Sequence, residues 1–315
     1  MLIEVHYDTK NLTTGKPSYN LEIFYENING NLERKDKQCV ISLEGEEYPC
    51  IKVLRLVWEL TFLYEGYFYT PVKYIVDGKE KNVLDLYFLS YYKCGKTWRN
   101  SAAPLNNDRM DISSDKLLKY DLFRNTERST GKLLKPLINA FYYLHSEAYE
   151  NINVNHRLAL LLNICDGYII NTRGKTNNVE ANIKNVLGEN LDVGLVKYGA
   201  SLLGIPKGKL YEALADERNE IDHYALKSGS VTSYVHSGND KRADYINWYF
   251  VYMIELALRI GLLKQIGFDV PDERMIYAIN EINDWIIYEC DLSEECKNPA
   301  NKMRQDLKRV GLIMK

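Results

Sequence analysis

The sequence lacks the short signatures by which many enzymes can be sorted at sight. It has no Gly-rich P-loop, no G-x-G-x-x-G, no G-x-S-x-G elbow, no H-E-x-x-H and no EF-hand loop. The standard nucleotide-binding, esterase, zinc-protease and calcium-loop chemistries therefore have no foothold. Cysteine is sparse and scattered: Cys39, Cys50, Cys94, Cys165, Cys290 and Cys296 contain no C-x-x-C pair. Zinc ligation is not expected, and without a secretory signal the thiols read as reduced. The N-terminus, Met1-Leu2-Ile3-Glu4, has neither a basic n-region nor an apolar h-region, so no signal peptide is expected. Long apolar runs are missing too: the best stretch, Trp248 to Leu263, is broken by Glu255 and Arg259. A cytoplasmic setting is the expectation. The net charge of −3 gives no overall field attractive to phosphate, so any nucleic-acid contact must come from local basic patches.

What is present is a globular composition, 46% hydrophobic and 26% charged over 315 residues, enough for two domains with a core each. Tyrosine is abundant, 25 against 8 Phe and 4 Trp. A ring with a polar tip suits half-buried positions, interfaces and base stacking alike. Residues 1–98 read as β-rich, with strands at Leu2–Tyr7, Tyr19–Tyr25, Gln38–Leu43, Tyr67–Val76 and Lys81–Leu89. Asn29-Gly30 and Asp77-Gly78 are hairpin pairs, because both favour positive φ. Ile51–Tyr64 fits helix or buried strand. A sandwich or open barrel is the expected form. Residues 99–150 read as a linker with connecting helices, one of them capped by Ser113 or Ser114. Apolar spacing then predicts a helical bundle over 151–270, with helices over His156–Ile170, Val179–Leu187, Leu191–Leu203, Lys207–Lys227 and Arg242–Ile266. A helical extension over 271–315 comprises Asp272–Glu289 and Glu295–Leu312. The fold class is α+β, a β-rich N-terminal domain followed by an all-α bundle.

With few nucleophile settings, attention falls on the five histidines, His6, His145, His156, His223 and His236. His223 closes the segment Asp216-Glu217-Arg218-Asn219-Glu220-Ile221-Asp222-His223, polar throughout except for Ile221. On a helix Asn219 and His223 share a face at i,i+4, so the amide can set the imidazole tautomer. Arg218 lies about 140° round from His223 at 100° per residue, so both can border one cleft. An Arg and a His converging on one phosphate form a metal-free apparatus for cutting RNA: the His handles a proton while the Arg stabilises phosphorane charge. The plainer reading pairs Arg218 with Asp222 at i,i+4 on a solvated surface. His145 and His156 read as structural, and His236 as a loop residue. Lys302, Arg304, Lys308, Arg309 and Lys315 make a basic tail that suits a phosphate backbone or a solvated helix face equally.

Arg218-Asn219-x-x-x-His223 resembles the R-x(4–6)-H motif of HEPN-domain ribonucleases, down to the polar residue after the Arg. His156-Arg157-Leu158-Ala159-Leu160-Leu161-Leu162-Asn163-Ile164-Cys165-Asp166-Gly167-Tyr168 is similar to the first long helix of the family's ApeA-like branch, which carries an acid in its C-terminal half. Trp248–Leu258 and Leu262–Phe268 resemble its last helix. The likeness covers about Asn151–Phe268, and a β-rich front domain is also the family's layout. Asp166 stands where the family more often has Glu, and the front domain has no residue-by-residue match.

The resemblance implies a metal-independent endoribonuclease working as a homodimer without a cofactor. Arg218, His223 and Asn219 would be catalytic, with Asp166 and Asp222 accessory. It also implies RNA as substrate, a role in phage defence or as a toxin, and an antitoxin or trigger as partner; the β domain would then sense a trigger or hold the active site closed. HEPN bundles serve as non-catalytic interaction modules as well, and that is the alternative.

Overall fold

In the computed structural model the described residues are 1–8, 19–35, 38–66, 68–86, 112–125, 135–145, 154–174, 178–223 and 240–289. They divide into two compact units, the first holding the sheet and its helices together with 262–268, the second holding the remaining helices.

The first unit opens with β1 (Leu2–Asp8), β2 (Tyr19–Tyr25), β3 (Ile28–Lys35) and β4 (Gln38–Glu44). After α1 (Glu47–Glu65) come β5 (Thr70–Val76), β6 (Lys79–Lys81), α2 (Ser114–Asn125) and α3 (Lys135–Leu144). The strands form one antiparallel sheet in the order β2-β3-β4-β1-β5-β6. Alternation buries Ile3, Val5 and Tyr7 of β1 beside Cys39, Ile41 and Leu43 of β4, while the intervening residues stay partly exposed. The expected sandwich or barrel is thus a single open sheet. The ambiguous segment Ile51–Tyr64 is the reason: it is helical, and α1 takes the layer a second sheet would fill. From Leu54 to Glu65 nearly every side chain of α1 is buried, which is why its apolar spacing showed no single face.

Two hairpin assignments come out differently. Asp77-Gly78 does close β5 to β6, with φ of 47° and 76°. Asn29-Gly30 lies instead inside β3, and the chain turns at Glu26 and Asn27. Gly30 sits on the same strand face as Ile28 and Leu32, where an added Cβ would come within 2.0 Å of the Ser42 carbonyl oxygen. Its glycine answers a close strand-to-strand approach, not a turn.

Helices α2 and α3, read from sequence as part of a linker, group with the sheet. The cause is a buried charge on α1. Glu59 accepts hydrogen bonds from Arg55 Nε at 2.9 Å, Arg124 Nε at 2.7 Å and Tyr120 Oη at 2.7 Å, and from the Tyr142 hydroxyl. Burial pushes the Glu59 carboxyl up, but the Arg124 and Arg55 guanidiniums and the two tyrosine hydroxyls outweigh it and hold it below its ordinary value. Around this network Phe62 stacks on Phe68 at 4.2 Å, and both rings meet buried His145 edge-on, which makes that histidine structural.

The second unit runs α4 (Val154–Arg173), α5 (Val179–Asn190), α6 (Val193–Leu202), α7 (Leu210–His223), α8 (Asp240–Gln265, as far as Gly261) and α9 (Asp272–Glu289). Asn178 caps α5 through the Ala181 N–H at 2.7 Å, and Asp192 caps α6 through Gly194 and Leu195. Helix α9, read as an extension, packs on α6 and grips the bundle: Tyr249 Oη donates to Asn283 Oδ1 at 3.0 Å. Gly199 permits this crossing, since a Cβ there would lie 2.1 Å from the Tyr249 hydroxyl. Among the described residues one segment, Ile246–Gln265, is long and apolar enough to cross a membrane, contrary to the sequence expectation, but 94% of its most apolar window is buried inside the protein. Glu255 and Arg259 face each other within it, 3.9 Å apart and both buried.

Candidate active site on helices α4, α5 and α7

Leu210, Ala213, Leu214 and Glu217 form the buried stripe of α7 at i, i+3, i+4 and i+7, and that stripe packs on α4 and α5. Arg218 follows directly, at the edge of the stripe, with its side chain 21% exposed. On α4, Asn163 and Asp166 are three residues apart and share a face. Arg218 meets both: its Nε donates to Asn163 Oδ1 at 3.0 Å, and its Nη2 lies 3.7 Å from Asp166 Oδ2. Its Nη1 donates to Asn219 Oδ1 at 3.3 Å, so the motif's polar residue touches the arginine itself. Behind them on α5, buried Asn182 donates from Nδ2 to Asp166 Oδ1 at 2.7 Å.

Three of the sequence-predicted residues, Arg218, Asn219 and Asp166, are therefore brought together. His223 and Asp222 are the last two residues of α7, and their side chains lie outside the described residues, as do His236, Lys302, Arg304, Lys308, Arg309 and Lys315. His156 is exposed in the first turn of α4. Asn163 and Asn182 were not anticipated. A usable signal existed for each: Asn163 separates Leu160-Leu161-Leu162 from Ile164, and Asn182 falls beside Ile183 on the apolar face of α5.

Among the described cysteines none is set up as a nucleophile. Cys165, next to Asp166, is fully buried, and burial followed by the Asp166 carboxylate pushes its thiol well up. Cys39 is pushed up to about 12, chiefly by burial. Both stay protonated and are poor nucleophiles. Among the described residues no three His, Cys, Asp or Glu side chains are grouped to hold a metal ion. Comparison with protein-family models, with curated proteins and with solved structures returns no match.

Proposed function

We propose that the chain is an endoribonuclease of the HEPN type, in which Arg218 and His223 cut RNA without a metal ion. The 2′-OH attacks the adjacent phosphorus and the P–O5′ bond breaks. One imidazole takes the hydroxyl proton, another gives a proton to the departing 5′ oxygen, and the products are a 2′,3′-cyclic phosphate and a 5′-OH. The guanidinium answers the charge that builds on the phosphorane. The supporting observation is the setting of Arg218, its nitrogens held by Asn163, Asn219 and Asp166 five residues before His223 on the same helix. Phage defence or toxin-like action in the cytoplasm, with an antitoxin or trigger partner, is the biological setting that the HEPN resemblance carries.

The test is incubation with RNA, and with DNA of the same sequence, in EDTA. RNA should be cut at full rate and DNA, which lacks the attacking hydroxyl, should survive. Activity that returns only with Mg²⁺ or Mn²⁺ would sink the mechanism.

A homodimer is part of this reading, because one histidine cannot be base and acid in the same instant. A two-fold axis supplies one imidazole for each task. Titrating His223→Ala subunits into the wild type, with subunit exchange, should lower activity as the square of the wild-type fraction. A linear fall would leave the chemistry to single subunits. The rival, a non-catalytic interaction module, draws on the same ion pair: Arg218 already has an acid partner in Asp166. Such a module would lose partner binding, not RNA cleavage, on substitution of Arg218.

A further inference from the structure

We propose that Asn182 is a positioning residue for Arg218, acting through Asp166; only its kinetic readout rests on the ribonuclease reading above. Asn182 is 1% exposed and lies on the apolar face of α5 with Ile183, Val186 and Leu187. A polar amide in such a place is costly unless its hydrogen bonds are made. Here one of the amide's two polar atoms has a partner. Nδ2 donates to Asp166 Oδ1, whereas Oδ1 is buried with no partner among the described residues. An apolar residue of similar size would serve the packing better, so the donor to Asp166 is what the position supplies.

That donor holds one oxygen of the carboxylate and so sets its plane. The other oxygen, Oδ2, is the one that faces Arg218 Nη2. Asn163, on the same face of α4 as Asp166, takes the Arg218 Nε–H. A guanidinium is a planar fork whose orientation decides what it can bind, so two contacts from α4 fix its plane. The chain Asn182–Asp166–Arg218 thus runs from α5 through α4 to α7. Of the charged groups described on these helices, Asp166 is the one hydrogen-bonded to Asn182, with Arg218 beyond it and Glu217 and Glu220 further along α7.

The experiment substitutes Asn182→Asp, which keeps shape and turns the donor into an acceptor. Two readouts are taken: the Arg218 Nε–H resonance, assigned by its loss in Arg218→Lys, and the kinetics of RNA cleavage. At neutral pH the resonance should move, and kcat should fall on the order of 10- to 100-fold with KM little changed. On acidification the two carboxyls share a proton, the introduced group donates again, and both readouts should return toward the wild type. Asn182→Leu, which suits the apolar surroundings, covers the case of an unfolded aspartate variant. It should move the resonance with no recovery at low pH. An Arg218 resonance and cleavage rate equal to wild type in the folded variants would overturn the proposal. If the wild type cuts no RNA, the ribonuclease reading fails alone, and the resonance still decides the role of Asn182.

Discussion

Replacing His223 or Arg218 by alanine should lower RNA cleavage by about 10²- to 10⁴-fold, the usual loss when a general acid–base or charge-stabilising group is removed. The two losses should not add, because both groups serve one transition state. The fold should survive. Arg218 is partly exposed, and its removal leaves Asp166 with the Asn182 hydrogen bond and access to solvent. Asn219→Ala should cost less, since Asn163 and Asp166 still hold the guanidinium. His156→Ala, at an exposed position in the first turn of α4, is the matched control and should leave the rate unchanged. Near wild-type cleavage by His223→Ala, checked by rates at saturating and limiting RNA, would remove the site assignment.

The largest effect on stability is expected at Glu59. Its carboxylate is wholly buried and accepts hydrogen bonds from two guanidiniums and two phenols drawn from α1, α2 and α3. Taking one partner from a buried ionic network typically costs about 3–5 kcal/mol, because the charges left behind cannot be solvated. Glu59→Gln should therefore destabilise the first unit strongly in urea unfolding, and Glu59→Ala more so. The pH dependence has a definite sign. The folded carboxyl titrates below its unfolded value, so its contribution is complete above the unfolded value and is lost as pH falls through the folded one. The gap between wild type and Glu59→Gln should be widest near neutrality and narrow below roughly pH 4, where unfolded glutamates take up protons. A gap constant from neutral to acid pH would contradict the burial of an ionised Glu59.

The parts of this structure that were legible in the sequence are those set by local periodicity. Strands β1, β2 and β4 alternate cleanly, and α4 to α9 carry apolar residues at helical spacing. Strand β3 was hidden because its inward row runs Ile28, Gly30, Leu32, Arg34. A glycine and a charge occupy two of the four positions at which alternation would have shown. Arg34 faces inward because Glu65 Oε1, 3.2 Å away, waits at the end of α1, a partner 31 residues distant that no local pattern shows. Glu59 and Arg124 are hidden for the same reason: each looks like a polar interruption until the fold brings them together.

The site divides along the same line. Arg218 and Asn219 are neighbours, and a motif records them. Asp166 was found through its place in a helix. Asn163 and Asn182 act across 55 and 16 residues respectively, and only packing connects them to Arg218 and Asp166.

The most direct measurement is end-group analysis of RNA incubated with wild-type and His223→Ala protein in EDTA. The account predicts 2′,3′-cyclic phosphate and 5′-hydroxyl ends from the wild type and their near absence with His223→Ala. Uncut RNA from the folded wild type, or 5′-phosphate ends that appear equally with both proteins, would contradict it.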